Sequence, residues 1–309
     1  MRIAVTGAFG YSGKYIARRL LGAGLDVLTL TNSPGRPNPF GPKLKVAGFD
    51  FDHPYRLRQS LAGADALINT YWVRFDHKLF THAQAVANTK VMFEAAKAAG
   101  VRRIVHISIT RPDRKSDLPY FRGKAELEDA LKALGVSYCI LRPTVLFGKE
   151  DVLVNNIAWG LRHMPVFGVF GDGQYRLQPI CVDDLAAAAV EQALGTETRT
   201  IDAIGPETFA YRGMVEMIGQ AIGVRPRIIR MSPRLGYAVC KMLGWMVKDV
   251  VITREEIKGL MEGRLYVQSP PLGQTELSPW VRQNRDKLGL HYTSEIARRV
   301  DRVNEYRSN

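Results

Sequence analysis

Regular alternation between apolar runs and helical stretches is the feature that most limits how this chain can fold. Six runs in the first half predict strands, and the stretches between them predict helices. Near-continuous apolar character is typical of strands buried on both faces, as in parallel sheets. The pattern therefore predicts an α/β fold with a doubly wound parallel sheet, the Rossmann architecture. The predicted strands are 2–7, 26–31, 44–49, 64–70, 102–108 and 137–142, and the predicted helices are 13–21, 55–62, 78–99 and 122–133.

The pattern changes after residue 143. Residues 182–194 predict a clear helix and 199–205 another strand, and the rest of the chain is mostly helical. We therefore expect a dinucleotide-binding core over 1–205, with a substrate-side excursion near 148–176. A smaller, mainly helical part over 206–309 is expected to supply a substrate site or lid.

Three glycines follow the first predicted strand, in the run "VTGAFGYSGK". Gly7 would permit a tight turn, Gly10 a close approach of backbone to phosphate, and Gly13 close packing of helix on sheet. The helix that follows offers free N–H groups, which suit a pyrophosphate. The loop, including Phe9 and Tyr11, therefore predicts a dinucleotide-binding site.

The residues after the second strand bear on the form of the cofactor. NAD-selective sheets usually place a carboxylate there to bind the ribose 2′-hydroxyl, but no acidic residue follows this strand until Asp50. Asn32, Ser33 and Arg36 are instead suited to a 2′-phosphate. NADP(H) is therefore favoured over NAD(H). The alternative is a polar, proline-rich turn with a solvated arginine.

Tyr120 and Lys124 are four residues apart and would share one face of a helix. A nearby ammonium lowers the tyrosine pKa, which is about 10 when unperturbed, so that the phenol can act as an acid or base. Ser108 ends the fifth strand, where its hydroxyl would polarise a substrate carbonyl, and Thr110 is a second candidate hydroxyl. Gly123 weakens that helical turn by about 1 kcal/mol relative to alanine, so a looser turn is expected.

At this point the chain resembles a known family. The loop "TGAFGYSG" is similar to that of extended and atypical short-chain dehydrogenases/reductases. Further matches follow in order over about two-thirds of the chain: "NTY", "AVANTKVMFEAAKAAGVRRIVHIS", "YFRGK", "ILRPTVLFG" and "PICVDDLA". Within the family, the chain most resembles the branch that holds the NADPH-binding accessory subunit of respiratory complex I, which also includes bacterial NAD-dependent epimerase/dehydratases.

The resemblance implies further site residues. Asp50 and Phe51 match positions that contact adenine, and Pro143 matches a position beside the nicotinamide. Asn88 and Arg176 match substrate-side positions, although Arg176 is as well explained by a surface salt bridge. The cofactor residues implied by the resemblance are Asp50, Phe51, Asn69, Thr70, Tyr71 and Pro143.

Three functions remain open from the sequence. The favoured one is an oxidoreductase that transfers hydride to or from a carbonyl or alcohol of a small molecule. The second is a nucleotide-sugar epimerase or dehydratase that retains its nicotinamide cofactor. The third is a non-catalytic NADP(H)-binding accessory or redox-sensing protein.

The charge distribution and the cysteine and histidine spacing indicate which partners and metal sites to expect. The net charge is +13, but the basic residues are scattered in twos and threes, so we expect no nucleic-acid partner. The three cysteines and six histidines show no metal-type spacing, so no metal site is expected. Unpaired cysteines and the lack of a signal peptide predict reduced thiols and a cytoplasmic location. His106, on an apolar strand, is expected to be a satisfied core histidine.

Residues 232–251 form an apolar helix candidate flanked by Arg234, Lys241 and Lys248. The segment is too short and too charged to span a bilayer. It could lie on the inner face of a membrane as a peripheral contact, or cover a hydrophobic substrate. The alternative we favour from sequence is a buried packing helix.

Overall fold

The computed structural model describes residues 1–225, 227–301 and 303, so the end of the predicted 206–309 part lies outside the described residues. The described chain forms two compact units. The first comprises 1–143, 182–203 and Val303, and the second comprises 144–181 and 204–301. The predicted excursion near 148–176 lies within the second unit.

The helices and strands are numbered in chain order through both units. The strands are β1 (Arg2–Thr6), β2 (Asp26–Thr31), β3 (Leu44–Gly48), β4 (Ala66–Asn69), β5 (Arg103–Ile107), β6 (Ser137–Pro143), β7 (Leu146–Phe147), β8 (Phe167–Phe170), β9 (Arg176–Leu177), β10 (Ile180–Cys181), β11 (Arg199–Ala203), β12 (Phe209–Ala210) and β13 (Ile228–Met231). The helices are α1 (Tyr11–Gly22), α2 (Pro54–Leu61), α3 (His82–Ala98), α4 (Pro119–Ala133), α5 (Leu153–His163), α6 (Val182–Leu194), α7 (Tyr211–Ala221), α8 (Pro233–Val247), α9 (Arg254–Met261), α10 (Leu277–Asn284) and α11 (Glu295–Val300).

Within the described part of the first unit, seven strands form one parallel sheet in the order β3-β2-β1-β4-β5-β6-β11. Ile3 in β1 pairs with Val27 on one side and with Ala66 on the other. All seven predicted strands are present, which confirms the doubly wound architecture. The strand order reverses between β1 and β4, and ligands of such sheets bind in the crevice at the carboxyl ends of those strands.

Helices cover both faces of this sheet. On one face, side chains of α2, α3 and α4 such as Leu57, Phe93 and Leu131 pack with strand residues such as Leu67 and Ile104. On the other face, α1 and α6 pack together, and α6 lies along β4, β5 and β6. This double coverage explains why β1, β2, β4 and β5 are buried along almost their whole length, whereas the edge strand β3 is largely exposed.

The second unit combines short strand pairs with helices. β7 pairs with β10 and β8 with β13 in parallel, while β9 and β12 are antiparallel. Its core includes Phe147, Ile157, Met214 and Val215. All three cysteines of the chain are unpaired, as the sequence predicts.

The exposure of helix α8 differs from what the sequence predicted. Among its residues, all of which are described, only Gly236 and Gly244 are buried, so the favoured prediction of a buried packing helix is wrong. A Cβ on Gly236 would lie 2.4 Å from the Phe170 ring, which shows that the glycine side of the helix faces inward. None of the described helices is long and apolar enough to cross a membrane.

Candidate functional site

The glycine loop connects β1 to α1 through a backbone turn that side chains would block. Gly7 has a φ of +68°, a left-handed conformation that favours glycine, and its N–H donates to the Leu30 carbonyl at 2.7 Å. A Cβ on Gly13 would lie 2.1 Å from the Gly7 carbonyl oxygen, and one on Gly10 would lie 3.1 Å from the same atom. The loop therefore needs the glycines at these spacings to bring α1 close to β1.

The N-terminus of α1 has the properties of an anion site. Its N-cap residue is Gly10, no described side chain caps it, and its first turn contains no acidic residue. The N–H groups and the positive end of the helix dipole are thus not neutralised by a carboxylate. Together with the glycine cradle, these features fit the pyrophosphate of a dinucleotide. Phe9, within the same loop, is buried.

A hydrogen-bond network joins the ends of β1 and β4 beside this loop. The Thr70 backbone N–H and side-chain hydroxyl donate to the Thr6 hydroxyl and carbonyl, both at 2.6 Å. The Asn69 side-chain oxygen accepts from the Thr6 hydroxyl at 3.2 Å and from the Tyr71 N–H at 2.9 Å. Thr70 Oγ1 would be 3.5 Å from a Cβ on Gly7, so the structure brings the predicted 69–71 residues to the glycine loop.

Three aromatic rings cluster at the carboxyl ends of β3 and β4. Phe51 lies 4.9 Å from Phe49 and 5.4 Å from Tyr71, measured between ring centroids. Asn88 reaches this cluster from α3, because its amide donates to the Tyr71 hydroxyl at 2.9 Å. Aromatic residues at the ends of β3 and β4 thus meet a side chain of α3.

Asp50 has local partners that the sequence did not indicate. Its carboxylate accepts from the His53 N–H at 3.1 Å and contacts the His53 ring at 2.8 Å and Arg56 at 3.3 Å. The hydrogen bond from the His53 side chain is the main cause that lowers the pKa of Asp50. Asp50 therefore organises the start of α2, and its contact with adenine stays a prediction.

Arg36 is buried in the turn after β2, where only 6% of its surface is exposed. Its N–H donates to the Ser33 carbonyl at 3.1 Å, and the Ser33 N–H donates to the Thr31 hydroxyl at 3.1 Å. Asn32 is exposed in the same turn. The alternative of a solvated arginine is therefore wrong, while binding of a 2′-phosphate stays a prediction.

Lys124 is buried, and its ammonium points at β5. Its Nζ donates to the Ile107 carbonyl at 2.7 Å and lies 4.4 Å from the centre of the Trp72 ring. Burial lowers the pKa of Lys124 to about 7, against the opposing effect of the Glu128 carboxylate. The Tyr120 ring lies 5.6 Å from the same Trp72 ring and 5.7 Å from His82. Trp72 thus contacts both residues of the predicted pair.

Trp72 also explains Gly123. A Cβ on Gly123 would lie 2.9 Å from the Trp72 ring and 3.0 Å from a Val86 methyl. Helix α4 runs unbroken from Pro119 to Ala133, so the turn at Gly123 has helical geometry, and its weaker stability stays a prediction. The glycine is required for the close approach of the indole. Sequence reasoning missed Trp72, although a glycine within a helix was the available signal.

The Ser108 hydroxyl has a partner inside the protein. It donates to the Glu128 carboxylate at 2.7 Å, and Arg142 donates to both oxygens of that carboxylate at 2.9 and 2.5 Å. Ser108 and Glu128 are both buried. The structure therefore commits the Ser108 proton to Glu128 and not to a substrate carbonyl. Glu128 was also missed, although it follows Lys124 by one helical turn.

Thr110 and Pro143 lie together near these residues, since the Thr110 N–H donates to the Pro143 carbonyl at 2.9 Å. Thr110 is fully buried. His106 is a buried core histidine, as predicted, whose Nδ1 lies 3.0 Å from the Asn69 amide. Burial lowers the pKa of His106 well below 6.5, so the ring is neutral. Its Nε2 has no hydrogen-bond partner among the described residues, so it is only half satisfied.

Arg176 lies in the second unit and is exposed. Its guanidinium stacks on the Tyr266 ring at 3.6 Å from the ring centre. The predicted contact of Arg176 with substrate stays a prediction.

Known proteins resemble this chain in sequence and in fold. Residues 3–196 match the NAD dependent epimerase/dehydratase family. The chain is 25% identical over 267 residues to the mitochondrial NADH-ubiquinone oxidoreductase 40 kDa subunit of Neurospora crassa, covering 82% of this chain and 69% of that protein. It is 29% identical over 231 residues to the (4-alkanoyl-5-oxo-2,5-dihydrofuran-3-yl)methyl phosphate reductase of Streptomyces griseus, covering 72% and 74% of the two chains.

Among solved structures, the triphenylmethane reductase of Citrobacter sp. complexed with NADP(H) has a similar fold. The TM-score is 0.76 at 18% identity, and the match covers 92% of this chain and 99% of that one.

Proposed function

This chain belongs to the NAD dependent epimerase/dehydratase family, and on that premise we propose that it binds NADP(H) at the glycine loop and transfers hydride to or from a carbonyl or alcohol substrate. The observation that carries the proposal is the loop itself. A Cβ on Gly13 would fall 2.1 Å from the Gly7 carbonyl, and the N-terminus of α1 that this packing presents has no capping side chain among the described residues.

The preference for NADP(H) is supported by the turn after β2. No carboxylate ends this strand, and a buried arginine, Arg36, follows it together with Asn32 and Ser33. A buried guanidinium suits a dianionic phosphate better than a neutral hydroxyl. The Citrobacter reductase of similar fold was solved with NADP(H), which is consistent with this choice.

Bound nicotinamide would supply the hydride chemistry, and the residues of α4 and β5 would handle the proton. We assign the acid–base step to the Tyr120 hydroxyl. Lys124 is held by the Ile107 carbonyl and shielded by Trp72, so its charge acts in a poorly hydrated setting where it affects a neighbouring phenol strongly. Because the Ser108 proton is committed to Glu128, we assign Ser108 no role in orienting the carbonyl.

A matched pair of glycine substitutions tests the binding site. Gly13→Ala should weaken NADPH binding at least tenfold, because its Cβ meets a backbone carbonyl. Gly22→Ala, at the other end of the same helix, meets nothing within 4 Å and should bind as the wild type does. Calorimetric titration with NADPH and NADH measures both. Equal affinity in the two variants would remove the glycine loop as the site.

The cofactor preference has its own test. Arg36→Gln should reduce NADPH affinity by about tenfold, the equivalent of 1.4 kcal/mol, and leave NADH affinity nearly unchanged. If both affinities fall alike, Arg36 supports the turn and does not read the 2′-phosphate.

A second candidate is a non-catalytic NADP(H)-binding protein. It is favoured by one observation, namely that the Ser108 hydroxyl and the Lys124 ammonium are both bonded within the protein. If the protein is non-catalytic, it binds NADPH, but NADPH is not oxidised when a panel of carbonyl compounds is added. If oxidation occurs and Tyr120→Phe slows it at least a hundredfold while NADPH affinity is unchanged, the enzyme is favoured.

A further inference from the structure

The outward side of α8 carries an apolar stripe beside a basic one. The apolar side chains recur at helical spacings of four, three and four residues, so they lie on one face. The basic side chains recur every seven residues and lie along one flank of that face. The apolar residues are Leu235, Val239, Met242 and Met246, with Trp245 between the stripes, and the basic residues are Arg234, Lys241 and Lys248.

These apolar side chains are unusually exposed. Trp245 is 84% exposed, Met246 68%, and Met242 63%. A tryptophan and two methionines that are exposed to this degree on one helix form a continuous apolar surface, which is typical of a contact site and not of a solvated face.

The orientation of α8 is determined by its opposite side. A Cβ on Gly244 would lie 2.6 Å from the Asp249 carbonyl, and one on Gly236 would overlap the Phe170 ring. The Asp249 carboxylate in turn accepts from the Tyr292 hydroxyl at 2.9 Å and from two backbone N–H groups of α11. Rotation of the helix to bury its apolar stripe would replace these glycines with larger side chains, so the stripe stays outward.

The charged side chains of α8 and of its C-cap residue Lys248 have one sign. Residues 232–248 contain three basic side chains and no acidic one. The face also borders a cavity of about 950 Å³, whose lining includes Lys241, Trp245, Met246 and Lys248. The Asp249 carboxylate lines it too, but it is buried and bonded to Tyr292 and to α11. An apolar floor with ammonium groups at its margin is complementary to a molecule with an apolar body and an anionic head.

We propose that α8 docks this chain on an anionic phospholipid bilayer. The apolar stripe enters the boundary between headgroups and acyl chains, Trp245 lies at the level of the headgroups, and the basic flank faces the phosphates. A second copy of the chain is a poorer occupant, because the same face would bring further cations without carboxylates to pair with them.

Vesicle flotation with the full chain tests the proposal. The wild type should float with vesicles of phosphatidylcholine mixed with phosphatidylglycerol, much less with phosphatidylcholine alone, and less as salt rises. Arg234→Gln, Lys241→Gln and Lys248→Gln combined should lower partitioning by about a hundredfold, since each charge near the surface contributes about fivefold. The matched control combines Lys97→Gln, Lys115→Gln and Lys287→Gln, which removes three exposed cations elsewhere and should keep the binding.

A second measurement separates insertion from charge attraction. The Trp245 emission, taken as the difference between wild type and Trp245→Phe, should shift to shorter wavelength with anionic vesicles. Met242→Ser should reduce flotation without changing the thermal midpoint. The proposal is overturned if the wild type does not float or if the control triple variant loses as much binding as the α8 variant. It is also overturned if Met242→Ser only converts a dimer to a monomer in sedimentation, which would assign the face to a second copy.

Discussion

The glycine loop and the α4 face of the first unit are built in opposite ways. Around the glycine loop, the binding groups are backbone N–H groups at a helix end that no described side chain caps. On α4, the predicted catalytic side chains have partners within the protein, because Lys124 donates to Ile107 and Ser108 donates to Glu128. A binding site made of backbone groups can therefore be inferred from glycine spacing. A site made of side chains depends on neighbouring residues, which the spacing does not reveal.

The largest effect is expected on the α4 side. Glu128→Gln removes the charge that Arg142 and Ser108 share, and should lower the free energy of unfolding by about 3 kcal/mol, as breaking a buried ion pair does. Urea denaturation measures the change. Asp129→Asn, on the next residue but exposed, is the control and should change stability by less than about 0.5 kcal/mol. If the free energy of unfolding falls by a similar amount in both variants, the buried Glu128 carboxylate stabilises the fold no more than an exposed carboxylate does.

The second-largest effect is expected on the pH dependence of the free energy of unfolding, through Lys124. Between the folded pKa of Lys124, about 7, and its ordinary value of 10.5, the unfolded chain binds more protons than the folded one. This group should therefore make stability rise with pH over that window. Lys124→Met should flatten the rise between pH 7 and 9 by roughly 2 kcal/mol relative to wild type. Lys97→Met, at an exposed site, should keep it. An unchanged slope in Lys124→Met would show that the ammonium is not buried as described.

A smaller effect is expected where Trp72 packs on α4. Gly123→Ala should destabilise the protein by about 1.5 kcal/mol, because its Cβ overlaps the indole. In a Trp72→Leu background the same change should cost less, or stabilise, since alanine is the better helix former. Thermal unfolding of the four proteins completes this double-mutant cycle. Additive effects would show that Trp72 and Gly123 do not pack together.

The smallest change in the free energy of unfolding is expected for substitutions in the glycine loop. Gly7→Ala forces a side chain into a left-handed conformation with a φ of +68° and should cost about 1 kcal/mol. Gly7→Asn should cost less, because asparagine tolerates this conformation. Denaturant midpoints of the two variants decide the point. If asparagine is the worse substitution, space near Thr70 matters more than backbone conformation.

Much of the fold could be predicted from the chain itself. The strands β1, β2, β4 and β5 are buried along most of their length because both faces of the parallel sheet are covered, and their apolar pattern indicated the strands and their parallel direction. The order of the strands came from the structure. The glycine loop could also be predicted, because its geometry depends on backbone atoms and on the absence of side chains. The sequence states both directly, since it shows where the glycines are.

Only the tertiary structure decided which side chains meet. Trp72 lies on Gly123, 51 positions later in the chain, Arg142 clamps Glu128, and α8 turns its glycines inward and its tryptophan outward. Each of these outcomes depends on contacts between residues distant in sequence or on the face that a helix presents to its neighbours. The sequence by itself determined the local periodicity and backbone freedom of this protein, while packing determined the partner of each polar side chain, because burial and hydrogen bonding are properties of the assembled neighbourhood and not of a residue.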